Sequence, residues 1–148
     1  MNELNMDLHE EVGEIDDILG FHIRLAHVAV YRHFMETFSE LDLTQKQVSV
    51  LWLIDDHPAI AQADLGRRLR IDRATIMAII NRLQKRGYVQ RGQSKSDGRR
   101  QTLHLTDEGK IALERARAAI LDHERWLKGR FSQSEMDMLM SLLRRIHE

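Results

Sequence analysis

A single proline, Pro58, interrupts a chain of 148 residues that is rich in Ala, Leu, Ile, Met, Glu, Arg and Gln. These residues favour helices and proline breaks them, so helix is the expected default along most of the chain. Hydrophobic residues make up 43% of the sequence and charged residues 30%, which is enough apolar material for a folded core. The length is that of one ordinary domain.

The sequence contains no cysteine. Disulfides, thiolate metal sites, cysteine nucleophiles and thiol redox sensing all require a thiol and are excluded. Residues 1–17 carry seven acidic side chains and no Lys or Arg, which is not typical of a signal or transit peptide. No segment approaches the roughly 20 apolar residues of a membrane span, so we expect a soluble, cytoplasmic protein with no membrane partner.

Apolar residues recur at three- and four-residue steps over about residues 7–38, which predicts a long amphipathic first helix. Thr44 and Gln47 have the spacing of a capping box, in which each side chain bonds the backbone N–H of the other residue. This box predicts a second helix over residues 48–54 that ends before Pro58.

The next segment has the layout of a helix-turn-helix. A short third helix fits residues 62–69, and Asp72 is a good N-cap for a fourth helix that ends at Gly87. The residues expected to face inward on these two helices are Leu65, Leu69, Ile76, Ile80 and Leu83.

After Gly87 the apolar pattern changes from a helical period to alternation. Residues 88–91 and 100–105 are typical of two strands, and the polar segment 92–98 between them predicts a long hairpin loop. Thr106 begins another long helix, and a second capping box at residues 132–135 opens the last one. The last helix has an apolar stripe at near-heptad spacing, formed by Met136, Leu139, Met140, Leu143 and Ile146.

Charge is distributed very unevenly along the chain. Residues 66–100 contain eleven Lys and Arg against two Asp and Glu, a net charge of +9, whereas the other 113 residues contain eleven basic and 21 acidic side chains, a net charge of −10. A concentrated basic segment with acidic flanks indicates a surface that binds a polyanion. The simpler alternative is a solvated charged face.

The outward face of the predicted fourth helix favours DNA binding over that alternative. It combines small side chains, which allow close approach to bases, with hydrogen-bonding ones, and it carries no acid after Asp72. Arg can pair with guanine and Asn with adenine in the major groove. The outward residues are Arg73, Thr75, Met77, Ala78, Asn81 and Arg82.

The predicted hairpin loop can project on the order of 10 Å and reach an adjacent groove. Its tip offers Lys95, Arg99 and Arg100 to phosphates or to a narrow minor groove. Asp97 lies two residues before Arg99 and can hold that guanidinium in one pose. The alternative is an ordinary surface ion pair worth about 0 to 1 kcal/mol.

With these features the chain resembles the MarR regulators, dimeric winged-helix repressors of bacteria and archaea. The resemblance spans nearly the whole sequence. It is most specific in three segments, which are residues 43–51, residues 72–89, and residues 97–100 followed by 105–109. By position, Asp97 and Arg99 resemble the family's wing-tip pair, and Arg73, Thr75, Asn81 and Arg82 fall on its DNA-facing helix.

The resemblance implies a mainly α fold with a small β-hairpin wing, in which residues 41–106 form a winged helix-turn-helix. Residues 1–40 and 107–148 would then be dimerisation helices that interleave with those of a second copy. Both terminal regions carry apolar stripes that need a surface to cover them, which agrees with a homodimer. Such a dimer would bind a pseudo-palindromic double-stranded DNA operator, as a repressor without a cofactor.

Many members of this family release DNA when a small molecule, often an aromatic acid or phenol, binds between the dimer helices and the DNA-reading head. An Arg can hold a carboxylate, His or Tyr can bond a phenolic oxygen, and a Trp can supply an aromatic wall. The candidate effector residues are His22, Arg24, His27, Tyr31 and Trp52. The dimer interface also explains the two histidines and Tyr31, and Arg24 could pair with an acid of the opposite chain. A CoA thioester of an aromatic acid is an allied possibility.

Three other function classes compete with this interpretation. An enzyme is disfavoured because the chain lacks a His-Glu-x-x-His motif, a Gly-rich phosphate loop and a Gly-x-Ser-x-Gly motif. A metal-responsive regulator of the same fold would have to cluster His22, His27 and His33 across a dimer. The third class is a non-specific architectural or RNA-binding protein. Proteins that bind single-stranded RNA usually expose aromatic residues, and Tyr88 is the only aromatic residue in the basic segment 66–100.

Overall fold

The structure is a computed structural model that describes residues 13–96 and 98–148. The described residues form two compact units, one made of residues 13–36 and 126–148 and the other of residues within 37–125. The helices are α1 (Leu19–Phe38), α2 (Gln45–Asp56), α3 (Gln62–Leu69), α4 (Arg73–Lys85), α5 (Asp107–Lys128) and α6 (Gln133–His147), and a 3-10 helix precedes them at Gly13–Asp17. The strands are β1 (Ile60–Ala61), β2 (Val89–Gln93) and β3 (Gln101–Leu105). The expected mainly α fold with a small hairpin is confirmed.

Local signals set three helix ends where the sequence predicts them. Thr44 Oγ1 accepts from the Gln47 amide at 3.1 Å while Gln47 Oε1 accepts from the Thr44 amide at 3.0 Å, which completes the capping box of α2. Ser132 and Glu135 form the same box at the start of α6. Gly87 follows α4 with a φ of 80°, the left-handed conformation that glycine adopts at low cost.

The first helix begins later than predicted. The described part of the expected helix over residues 7–38 divides into the 3-10 helix and α1, and residues 7–12 lie outside the described residues. Gly13 has a φ of 69°, which is not helical. The carbonyl of Asp16 bonds the Nε2 atom of His22 at 2.5 Å, where a continuous helix would direct this carbonyl to the backbone amide of Gly20.

The strands form a three-stranded antiparallel sheet in the order β1-β3-β2. The predicted hairpin is present, with Val89 opposite Leu105 at its base. Strand β1 was not predicted, because a strand of two residues is too short to show an alternating apolar pattern. It pairs with β3 through Ile60 opposite Leu103, so the sheet lies against the helix-turn-helix rather than projecting from it as a bare hairpin.

The inward residues of the helix-turn-helix are buried as predicted, apart from Leu69, which is half-buried because it lies in the last turn of α3. Residues Arg70 to Asp72 connect α3 to α4, and Arg70 has a left-handed φ of 53°. The largest fully buried side chains of this unit include Leu51, Leu65, Ile76, Ile80, Leu83, Leu103 and Leu113. One face of α4 packs on this core, and the opposite face of α4 is exposed to solvent.

The other unit has little core and much exposed apolar surface. It contains an aromatic contact in which the Trp126 ring stacks on His33 with 3.9 Å between ring centroids, and the Arg130 guanidinium lies 4.5 Å from the Trp126 centroid. Large hydrophobic side chains are exposed along α1 and α6, among them Leu19, Ile23, Leu25, Val28, Met138, Met140, Leu142, Leu143 and Ile146. None of the helices described over residues 13–96 and 98–148 is long and apolar enough to span a membrane.

Candidate nucleic-acid interface

Helix α4 presents the predicted outward face to solvent. Its exposed residues are Arg73, Met77, Ala78, Asn81 and Arg82. Thr75 is half-buried; its hydroxyl donates to the Asp72 carboxylate at 2.7 Å and its amide donates to the same carboxylate at 2.8 Å. These two hydrogen bonds stabilise the ionised carboxylate and lower the pKa of Asp72, and the negative charge lies beside the positive end of α4.

The wing is the loop between β2 and β3. Lys95, Arg99 and Arg100 are exposed there, and Asp97 lies outside the described residues, so its predicted pairing with Arg99 stays a prediction. Arg100 Nη2 lies 2.8 Å from a carboxylate oxygen of Asp64 on α3. This ion pair ties the base of the wing to the helix-turn-helix.

A surface cavity of about 590 Å³ lies between the wing, α3 and the first turns of α4. Four of the predicted DNA-binding residues line it, namely Arg73, Met77, Arg99 and Arg100, together with Arg67 of α3. The fold therefore brings arginines from three separate segments to one groove. Thr75, Ala78, Asn81, Arg82 and Lys95 are not among the residues that line it.

Arg91 of β2 was not predicted as a functional residue, yet it contacts a residue on the outward face of α4. Its Nη2 donates to Asn81 Oδ1 at 2.7 Å, and its Nη1 donates to Gln84 Oε1. Only the hairpin geometry places these side chains together, so no local sequence pattern reveals the contact. Asp64 and Arg67 were not predicted as site residues for the same reason, although Arg67 lies within the basic segment 66–100.

The predicted effector residues fall in both units. On α1, His22 bonds Asp16, the Arg24 guanidinium lies 5.4 Å from the Phe21 ring centroid, and His27 stacks on Tyr31 with ring centroids 6.3 Å apart. These four predicted residues of α1 are exposed.

Trp52 is half-buried on α2. The Arg117 guanidinium lies 5.0 Å from its ring centroid and bonds Asp55 Oδ2 at 2.7 Å. The hydrogen bond from Arg117 to Asp55 raises the pKa of Arg117. Arg117 of α5 therefore contacts both Trp52 and Asp55 of α2, and Trp52 takes part in the packing of these two helices.

The histidines that a metal-responsive regulator would need are engaged in separate contacts. His22 bonds Asp16, His27 stacks on Tyr31, and His33 stacks on Trp126. Within the described ranges of this chain, no group of three or more His, Asp or Glu side chains is close enough to hold a metal ion.

Comparison with known proteins gives a consistent result. A family model for the MarR family matches residues 41–100. A putative transcriptional regulatory protein for the hcr operon of Thauera aromatica is 32% identical over 145 residues, covering 97% of this chain and 87% of that protein.

Among solved structures, the transcriptional repressor CouR bound to a 23-mer DNA duplex aligns with a TM-score of 0.86 and 33% identity, over 92% of this chain and 96% of CouR. The PcaV transcriptional regulator of Streptomyces coelicolor, in complex with its natural ligand, aligns with a TM-score of 0.80 and 26% identity, over 90% of this chain and 94% of PcaV.

These similarities extend over almost the entire chain and well beyond the helix-turn-helix. The similar proteins are transcriptional regulators and not enzymes. The chain belongs to the MarR family of DNA-binding transcriptional regulators.

Proposed function

We propose that the chain is a homodimeric repressor that binds a pseudo-palindromic operator with two α4 helices and two wings. The observation that carries this proposal is the groove where Arg73 and Met77 of α4 meet Arg99 and Arg100 of the wing. Its arginines can bind phosphates and base edges of one duplex. The similarity to CouR, solved on a DNA duplex, supports this use of the groove.

In this proposal residues 41–106 read DNA, and residues 1–40 and 107–148 form the dimer. The exposed apolar side chains of α1 and α6 support the second part, since Leu19 is 72% exposed, Ile146 64% and Met138 58%. Fully burying one such side chain gains roughly 1.5 to 3 kcal/mol, so a second copy that covers both helices would be bound firmly. A two-fold dimer would place its α4 helices roughly 34 to 36 Å apart, one turn of DNA.

The Arg99→Ala substitution tests the DNA-binding part of the proposal. We expect weaker operator binding. We also expect the slope of log binding constant against log salt concentration to be shallower by about one, because one phosphate contact is lost. Fluorescence anisotropy over a salt series measures both, and size-exclusion chromatography checks that the dimer persists. Arg115→Ala removes the same charge from an exposed position of α5 and should change neither quantity. Equal affinities of the wild type and Arg99→Ala would contradict the placement of the wing on DNA.

We further propose that a small aromatic acid, or its CoA thioester, releases the repressor from DNA. The similarity to PcaV, solved with its natural ligand, supports a small-molecule effector. Arg24 supports an acid, because Phe21 contacts its guanidinium from one side and the exposed N–H groups can hold a carboxylate bidentately. His27 and Tyr31, one and two turns further along α1, can bond a phenolic oxygen.

A thermal-shift panel of hydroxylated benzoic and cinnamic acids and their CoA thioesters tests the effector. We expect at least one compound to raise the unfolding temperature of the wild type and to release operator DNA. Arg24→Ala should abolish both effects and leave DNA binding intact, whereas Arg125→Ala, an exposed arginine of α5, should change neither. An undiminished response of Arg24→Ala would contradict the assignment of Arg24.

A further inference from the structure

Arg91 connects strand β2 to the outward face of α4. It lies in β2, is half-buried, and reaches two side chains of α4 that are one turn apart, Asn81 and Gln84. The contact with Asn81 measures 2.7 Å between Nη2 and Oδ1. Asn81 itself is exposed on the outward face, next to the exposed Met77 and Ala78 one turn earlier.

The chemistry of the guanidinium decides which end of each amide faces Arg91. A guanidinium has only N–H donors and stays charged at every relevant pH, so it accepts nothing from an amide. The oxygen atoms of Asn81 and Gln84 therefore face Arg91, and their amino groups face away. The amino group of Asn81 can donate hydrogen bonds.

This contact disfavours the Asn–adenine pairing expected from the sequence. Bidentate recognition of adenine needs the amide oxygen to accept from N6 while the amide nitrogen donates to N7, and one of the two lone pairs of the Asn81 oxygen is already engaged by the charged Arg91. Guanine presents two acceptors in the major groove, N7 and O6, and other bases present at most one. The positive charge of Arg91 beside the amide also disfavours the amino groups that adenine and cytosine present there.

We propose that Arg91 is a specificity-determining positioning residue, which holds Asn81 as a donor and makes it select guanine over adenine in each half-site. The inference rests on the proposed placement of α4 in the major groove. Arg91 acts through Asn81, and the predicted effect is on base preference at a single position of the half-site. A purely structural role of Arg91 would lower affinity for all sequences equally.

Selection from a randomised pool of 23-base-pair duplexes, followed by sequencing of the bound fraction, tests the proposal. The pool is presented to the wild type, Asn81→Ala, Arg91→Met and Arg115→Met. The position at which Asn81→Ala loses preference identifies the base that Asn81 contacts. We expect guanine there in the wild type, enriched ~10-fold over adenine, as one good base contact provides. Arg91→Met keeps the apolar stem but removes the donors, so we expect adenine to equal or exceed guanine at that position.

Arg115→Met makes the same substitution at an exposed position of α5 and should retain the wild-type preference. If Arg91→Met fails to fold, Arg91→Gln serves instead, because a glutamine amide can donate or accept and no longer fixes Asn81. Adenine at the Asn81-dependent position of the wild type overturns the proposal, as does an unchanged guanine preference in a folded Arg91 variant. Failure of the wild type to enrich any sequence would instead overturn the proposed operator binding.

Discussion

Gly109 lets the first turn of α5 lie directly against the backbone of the residue before β2. A Cβ atom at this position would lie 2.1 Å from the carbonyl oxygen of Tyr88 and 2.9 Å from its carbonyl carbon. The Tyr88 carbonyl accepts from the Thr106 amide at 3.1 Å, so moving the carbonyl away would weaken this hydrogen bond. The absence of a side chain at Gly109 therefore allows the start of α5 to lie close to the residue before β2.

Gly109→Ala should destabilise the protein by about 1 to 3 kcal/mol, because the new methyl group overlaps backbone atoms that cannot rotate aside. Urea unfolding measures this loss. Gly20→Ala is the matched control, since a Cβ atom at Gly20 in α1 meets nothing within 4 Å. That substitution should stabilise by up to ~1 kcal/mol through helix propensity. Equal unfolding midpoints for Gly109→Ala and the wild type would show that the close approach is not required.

At the scale of the element, α4 depends on its N-cap. Asp72 is the only acid at its N-terminus, and both the amide and the hydroxyl of Thr75 donate to it. The hydrogen bonds lower the pKa of Asp72 in the folded state. The ionised Asp72 carboxylate therefore stabilises the folded protein. This stabilisation is fully present above the pKa that Asp72 has in the unfolded chain, and it is lost as the pH falls through the lower pKa that Asp72 has in the folded protein.

Asp72→Asn keeps a cap oxygen but removes the charge. We expect the wild type to be more stable than this variant at neutral pH, and the difference to vanish once the pH falls below the folded pKa of Asp72. Urea unfolding midpoints of the two proteins at neutral and strongly acidic pH measure the difference. A stability difference that stays constant over this range would mean that the ionised carboxylate has no special role.

At the scale of the whole molecule, charge and apolar surface are separated along the chain. The +9 segment 66–100 contains α4 and the wing, whereas exposed apolar side chains concentrate on α1 and α6. This separation suits one surface to DNA and another to a second copy of the chain.

Leu143→Glu tests the dimer. The side chain is 41% exposed on α6, and a carboxylate there would have to be buried without a partner in a dimer that covers the stripe. We expect analytical ultracentrifugation to show a monomer with much weaker operator binding. Ser141→Glu places the same group on α6 outside the stripe and should remain dimeric. A dimer of unchanged stability in Leu143→Glu would exclude this stripe from the interface.

Much of the fold was predictable because its signals are local. The capping boxes at Thr44 and Ser132, the N-cap at Asp72 and the glycine at Gly87 each act within one helical turn, so a short stretch of sequence specifies them. The exposed face of α4 was predictable by elimination once its buried residues were assigned.

The sequence by itself determined the helix-turn-helix, the hairpin and the basic segment, since propensity, period and charge belong to neighbouring residues. Only the tertiary structure decided what those residues contact. Arg91 meets Asn81 across ten positions, Arg100 meets Asp64 across 36 and Arg117 meets Asp55 across 62. Hydrogen bonds of this kind depend on where separate elements pack, and packing is a property of the whole core, which is why the direction of the Asn81 amide emerged only from the folded chain.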